Sequence, residues 1–205
     1  LLCLFAGIIS SGLKSKAAKY VNTALIIVVA VLSACTLFYV LNTGEAFVYV
    51  MGKFPAPWGN EIRAGVLEAF MALFFCIIML LSMFGGRKKL VDEVEESKTF
   101  LYYVLTNLLL SSLLALVYTN DLFTAYVFVE INTISACGLI MIRQNGRTIE
   151  AAARYMIMSL LGSGLLLMGI CMLYDLTGHL LMSNIKEQVT IIASSGEYGI
   201  PLLVT

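Results

Sequence analysis

Long apolar runs separated by short polar breaks dominate this chain. A helix needs about 20 mainly apolar residues to cross the hydrocarbon core of a bilayer. Five runs qualify: 20–41, 64–84, 100–118, 122–142 and 151–174. A shorter run over 1–13 reads as the end of a further span, and another begins near Tyr198. The runs are continuous, without the alternation of a transmembrane β-barrel strand. In lipid the backbone amides must be satisfied within the segment, so helix is the expected state. The predicted fold is all-α: a polytopic transmembrane helical bundle forming a single domain over 1–205. The chain starts without Met in an apolar run and stops inside another, so it reads as a fragment.

The polar breaks predict orientation. Lys and Arg favour the cytoplasmic side. Loops after the runs 1–13, 64–84 and 122–142 carry Lys14, Lys16, Lys19, then Arg87, Lys88, Lys89, Lys98, then Arg143, Arg147, Arg154. The other loops carry only Lys53, Arg63 and Lys186. Ten basic residues against three place the first set in the cytoplasm and the chain in a cell inner (plasma) membrane. The segment Asn42–Asn60 is longer than a simple connection, and Phe54-Pro-Ala-Pro-Trp-Gly59 reads as a rigid turn at the outer surface. Thr177–Ala193 reads as a short surface helix, and Leu90–Lys98 as a solvated cytoplasmic linker.

Composition agrees: 60% hydrophobic, 13% charged, mean hydropathy +0.93. The net charge of +0 suggests no nucleic-acid partner. Five cysteines lie singly in apolar stretches, without CxxC, so neither a disulfide framework nor a metal site is expected. No phosphate-binding, nucleophile-elbow, zinc-protease or dinucleotide motif appears. No cofactor and no active site for covalent chemistry are therefore expected.

An ionisable group within a membrane helix is costly and marks function by default. Glu130 lies near the middle of 122–142, and Glu68 lies one turn inside 64–84. Residues 126, 130, 133 and 137 share one helix face. Asn132, Thr133 and Ser135 add polarity beside Glu130, and Asn107 in the preceding span is expected to face it and hold water. The candidate ion-translocation residues are Glu130, Glu68, Asn107, Asn132 and Thr133. Glu130 can also be read as a protonated structural glutamate, and Glu68 as a surface-reaching carboxylate. No Lys or Arg lies deep in a span, and Arg154 is placed to snorkel. Asp121 fits a helix N-cap. The small residues of Ser159-Leu-Leu-Gly-Ser-Gly164 fit helix packing.

Thr119-Asn-Asp-Leu-Phe-Thr-Ala-Tyr-Val-Phe-Val-Glu130 resembles the fifth helix of the antiporter-like membrane subunits. That family includes large membrane subunits of complex I, energy-converting hydrogenases and Mrp sodium/proton antiporters. Glu150-Ala-Ala-Ala-Arg-Tyr155 and Ser159–Gly164 resemble the helix that follows. Phe54–Gly59 resembles a turn of Mrp A and D subunits and their hydrogenase relatives. The resemblance implies a larger protein of inverted five-helix repeats. It implies that Glu130 is the fifth-helix glutamate, paired with a lysine on the seventh helix, just past Thr205. Glu68 falls where many relatives have Asp, and Arg154 where they often have Lys. The implied function is translocation of H+, or also Na+, by one subunit among other membrane subunits, with a Mrp-type antiporter favoured. The alternatives are a redox-driven proton pump and a non-transporting structural subunit.

Overall fold

The structure, a computed structural model, describes residues 2–11, 15–54, 60–86, 90, 94–95 and 98–195. The turn over 55–59, most of the 90–98 linker and the run near Tyr198 lie outside the described residues.

The elements in order are α1 (Leu2–Ser11), α2 (Ser15–Thr43), β1 (Phe47–Val50), β2 (Glu61–Ala64), α3 (Val66–Gly85), α4 (Thr99–Tyr118), α5 (Leu122–Met141), α6 (Gly146–Thr177) and α7 (Met182–Ser195). Five of these helices, α2 to α6, are long and apolar enough to cross a membrane. The chain is a multi-pass membrane protein.

α6 starts earlier than its apolar run suggests. The Asn145 amide donates to Thr148 Oγ1 at 3.0 Å in a reciprocal capping box, which satisfies free N–H groups of the first turn. At the other end Gly178 takes φ 69°, a left-handed conformation open to glycine, and its N–H closes on Tyr174 O at 2.7 Å. Its 32 residues span about 48 Å, more than the roughly 30 Å core, so its ends project from the hydrocarbon.

α4 is the central helix, packed against α1, α3 and α5. Cys3, Ile26, Cys76, Met83, Tyr103 and Leu110 fill the junction of α1 to α4. α6 packs along α5 and leaves large apolar side chains outward: Met158 is 72% exposed and Leu165 71%. In lipid such exposure costs nothing, because acyl chains are as apolar as the side chains.

A hairpin interrupts the helical pattern. β1 and β2 pair antiparallel from Phe47 opposite Ala64 to Val50 opposite Glu61, where the sequence reading expects only a long connection and a helix start. An isolated hairpin is marginal. This one is anchored where the Asn120 amide donates to Glu61 O at 2.9 Å and Ile62 bridges to Thr119. The anchor lies 59 residues away in sequence and leaves no local signature. Asp121 bridges likewise to Leu181, at the start of α7. The hairpin, the α4–α5 turn and α7 thus gather at one end of the bundle.

Candidate functional site

The depth of Glu130 is set by where α5 begins. Asp121 caps that helix: its carboxylate accepts from Thr124 N at 2.6 Å. Glu130 follows nine residues on, about 13 Å along the axis, and α5 ends eleven residues later, about 16 Å further. The carboxyl group is therefore held well inside the helix. It is half-buried, and its Oε1 is buried without a hydrogen-bond partner. A buried polar atom left without a protein partner calls for water, an ion or a proton. Tyr126 lies one turn earlier on the same face.

Glu130 lines a cavity of about 460 Å³ between α4, α5 and α6. Thr133 stands on the same wall, its hydroxyl donating to Val129 O at 3.0 Å, so its oxygen remains open as an acceptor. The walls beyond are largely aliphatic, including Leu101, Leu105, Ile134 and Leu160, with the Cys137 thiol among them. At the far end stand Lys98 and Gln144, joined by a 2.8 Å hydrogen bond from Nζ to Oε1. Lys98 also pairs with Glu95 at 3.0 Å. Glu130 and Thr133 at one end and Lys98 and Gln144 at the other are the charged or hydrogen-bonding side chains that it offers to water.

The other sequence candidates lie elsewhere. Asn132 is on the side of α5 that faces α4, where Ser112 Oγ approaches its Oδ1 at 3.5 Å. Asn107 is fully buried and neither side-chain polar atom has a partner. It does not face Glu130. At 100° per residue it points away from Leu105 and Ser112, which meet α5, and its β-carbon lies near Gly7 of α1. Glu68 is on the first turn of α3, just after β2, whose Ile62 bridges to Thr119, and so at the Asp121 end of the bundle. Its carboxylate folds back over Gly65, where a β-carbon would come within 2.5 Å of Oε2. The structure thus joins Glu130 and Thr133 and leaves Asn107, Asn132 and Glu68 apart.

Lys98 is the residue that sequence reasoning missed. It reads as one charge of a cytoplasmic linker, yet its side chain is only 26% exposed and stands at one end of the cavity of Glu130. Its Gln144 partner is 46 residues distant, and no spacing rule connects them. Arg154, by contrast, pairs with Glu150 one turn away on an exposed face, a contact of little energetic weight. Among the described residues no three His, Cys, Asp or Glu side chains gather as a metal site would require.

Residues 119–204 match the family described as NADH:quinone oxidoreductase/Mrp antiporter, TM. Over 179 residues the chain is 30% identical to the putative antiporter subunit mnhD2 of Staphylococcus epidermidis (strain ATCC 35984), covering 86% of this chain and 34% of that protein. Over 133 residues it is 32% identical to NADH-quinone oxidoreductase subunit N of Azoarcus sp. (strain BH72), covering 64% of this chain and 27% of that one. The fold matches a chain of the membrane-bound sulfane sulfur reductase, an archaeal respiratory membrane complex. There the TM-score is 0.79 at 24% identity, over 90% of this chain and 37% of the other. The chain therefore spans about a third of the length of the relatives it matches. The segment 119–204, which contains both Glu130 and the helix that walls its cavity, matches that family, and the chain is similar over most of its length to antiporter-like membrane subunits of Mrp antiporters and NADH:quinone oxidoreductases.

Proposed function

We propose that this chain is part of an ion-translocating subunit of a multi-subunit complex in the cell inner membrane, with Glu130 as the group that takes up and releases the proton. The observation that carries the reading is the unpartnered, buried Oε1 of Glu130 on the wall of a cavity that reaches the end of α5. A carboxylate in low dielectric exchanges protons only when its charged form is neither prohibitive nor permanent. Water in the cavity stabilises the charged form in part, and Thr133 and Tyr126 add polar neighbours. A lysine elsewhere in the subunit supplies the remaining control: positive, it favours the carboxylate; neutral, it favours the acid.

A Mrp-type cation/proton antiporter is the favoured setting, supported by the outer-turn motif Phe54–Gly59 and the likeness to mnhD2. A redox-driven proton pump is the alternative, supported by the likeness to subunit N. In either, the ten basic residues of alternate loops put the Lys98 end of the cavity in the cytoplasm.

The test is Glu130→Gln in the full-length subunit of the assembled complex, reconstituted in vesicles with a pH-sensitive dye inside. The expected result is loss of ion-driven or redox-driven proton movement with assembly intact. Wild-type flux in an assembled Glu130→Gln complex overturns the reading.

A further inference from the structure

The Lys98–Gln144 contact has no role in holding a helix together, and its geometry is unusual. Lys98 immediately precedes α4, while Gln144 lies in the loop between α5 and α6. The hydrogen bond therefore ties two separate elements across one end of the cavity. Gln144 holds φ 49°, a left-handed conformation that a side-chain-bearing residue adopts at a cost. That conformation needs compensating contacts, and Gln144 makes two: its amide closes on Met141 O at 2.9 Å, and its side chain receives the ammonium. Behind this pair the wall is aliphatic as far as Thr133 and Glu130. A water entering from this end must pass the pair first and then cross an apolar stretch, where wetting is readily lost.

We infer that the hydrogen bond between Lys98 and Gln144 is a clasp that closes the mouth of the cavity leading to Glu130, making Lys98 a positioning residue that controls water access. Glu95 is the alternative partner that receives Lys98 when the clasp opens, since it already lies 3.0 Å from Nζ and is itself 70% exposed. The inference rests on reading Glu130 as the proton carrier, but its test does not use transport.

Cys137 supplies the reporter, since its thiol lines the same cavity between the clasp and Glu130. The full-length subunit, in its assembled complex, would carry Cys137 as its only cysteine. Inside-out vesicles would be treated with a membrane-impermeant methanethiosulfonate, and the modification rate of Cys137 followed by mass spectrometry. The expected result is slow modification in the parent and a rise of about tenfold or more in both Lys98→Met and Gln144→Ala, since a charge-assisted hydrogen bond is worth at least that factor. Gln144→Ala leaves the Glu95 pair in place, so it isolates the clasp. An unchanged rate in either variant overturns the inference, as does modification only in right-side-out vesicles. A Glu130→Gln complex that still transports refutes the proton-carrier reading and leaves these rates as they are, so the two failures are distinct.

Discussion

Gly138 and Leu105 meet where α5 crosses α4 so closely that a β-carbon on Gly138 would lie 3.0 Å from both Leu105 methyl groups. Both residues line the cavity of Glu130, so this contact sets the position of its wall. Leu105 is the flexible partner. A methyl group added at residue 138 must displace it by a few tenths of an ångström, and the cavity that Leu105 lines has room for that shift.

In Gly138→Ala a gain of about 1 kcal/mol in helix propensity offsets an overpacking cost of about 1 kcal/mol, so stability should change little, while proton flux should slow because the passage narrows. Adding Leu105→Ala should restore flux. Thermal unfolding of the purified complex and flux in vesicles check the pair. Flux in the double variant no better than in Gly138→Ala would show that the narrowing is not the cause.

Glu68 sits in the first turn of α3, where a negative charge meets free amides and the positive end of the helix dipole. Glu68→Gln should cost about 0.3–1 kcal/mol of stability and leave proton movement at the parental level. The same vesicle assay decides: a loss as deep as that of Glu130→Gln would place Glu68 on the ion path.

Asn120 joins three elements at the opposite end from the clasp. Its Nδ2 donates to Glu61 Oε1 at 2.9 Å and to Ser183 Oγ at 3.1 Å, and its carbonyl accepts from Met182 N at 2.8 Å. The residue is buried, so Asn120→Ala should cost about 1–3 kcal/mol and leave its former partners unsatisfied. Asn120→Asp should be worse, because a second carboxylate would face Glu61. Hydrogen exchange on the assembled complex should rise over 61–64 and 182–195, with α4 unchanged. Equal protection in all three forms would remove this role.

The helical framework was legible because each span is a continuous apolar run, and lipid permits only a structure that pairs its own amides. Glu130 was legible because a carboxylate within such a run is rare. Thr133 followed from helical spacing alone, three residues on. Asn107 shows the limit. Its position within a span and near the right depth suggested a partner for Glu130, but the rotation of α4 turns it toward α1. In that rotation Leu105 seats on Gly138, a contact between two unremarkable apolar positions. The hairpin was hidden for a similar reason, since its stability comes from Asn120, beyond the whole of α3 and α4.

By itself the sequence determined the solvent, the number of long helices, the sidedness expected from the basic loops and the two carboxylates within spans, Glu130 and Glu68. These depend on composition and on spacing along a single helix, where each residue acts through its immediate neighbours. Only the tertiary structure decided which polar residues meet, because that depends on how α4, α5 and α6 are rotated against one another. The cavity, the orphaned oxygen of Glu130 and the placing of Lys98 at its far end all arise from that packing. Contacts across 33 or 46 residues have no period to be read.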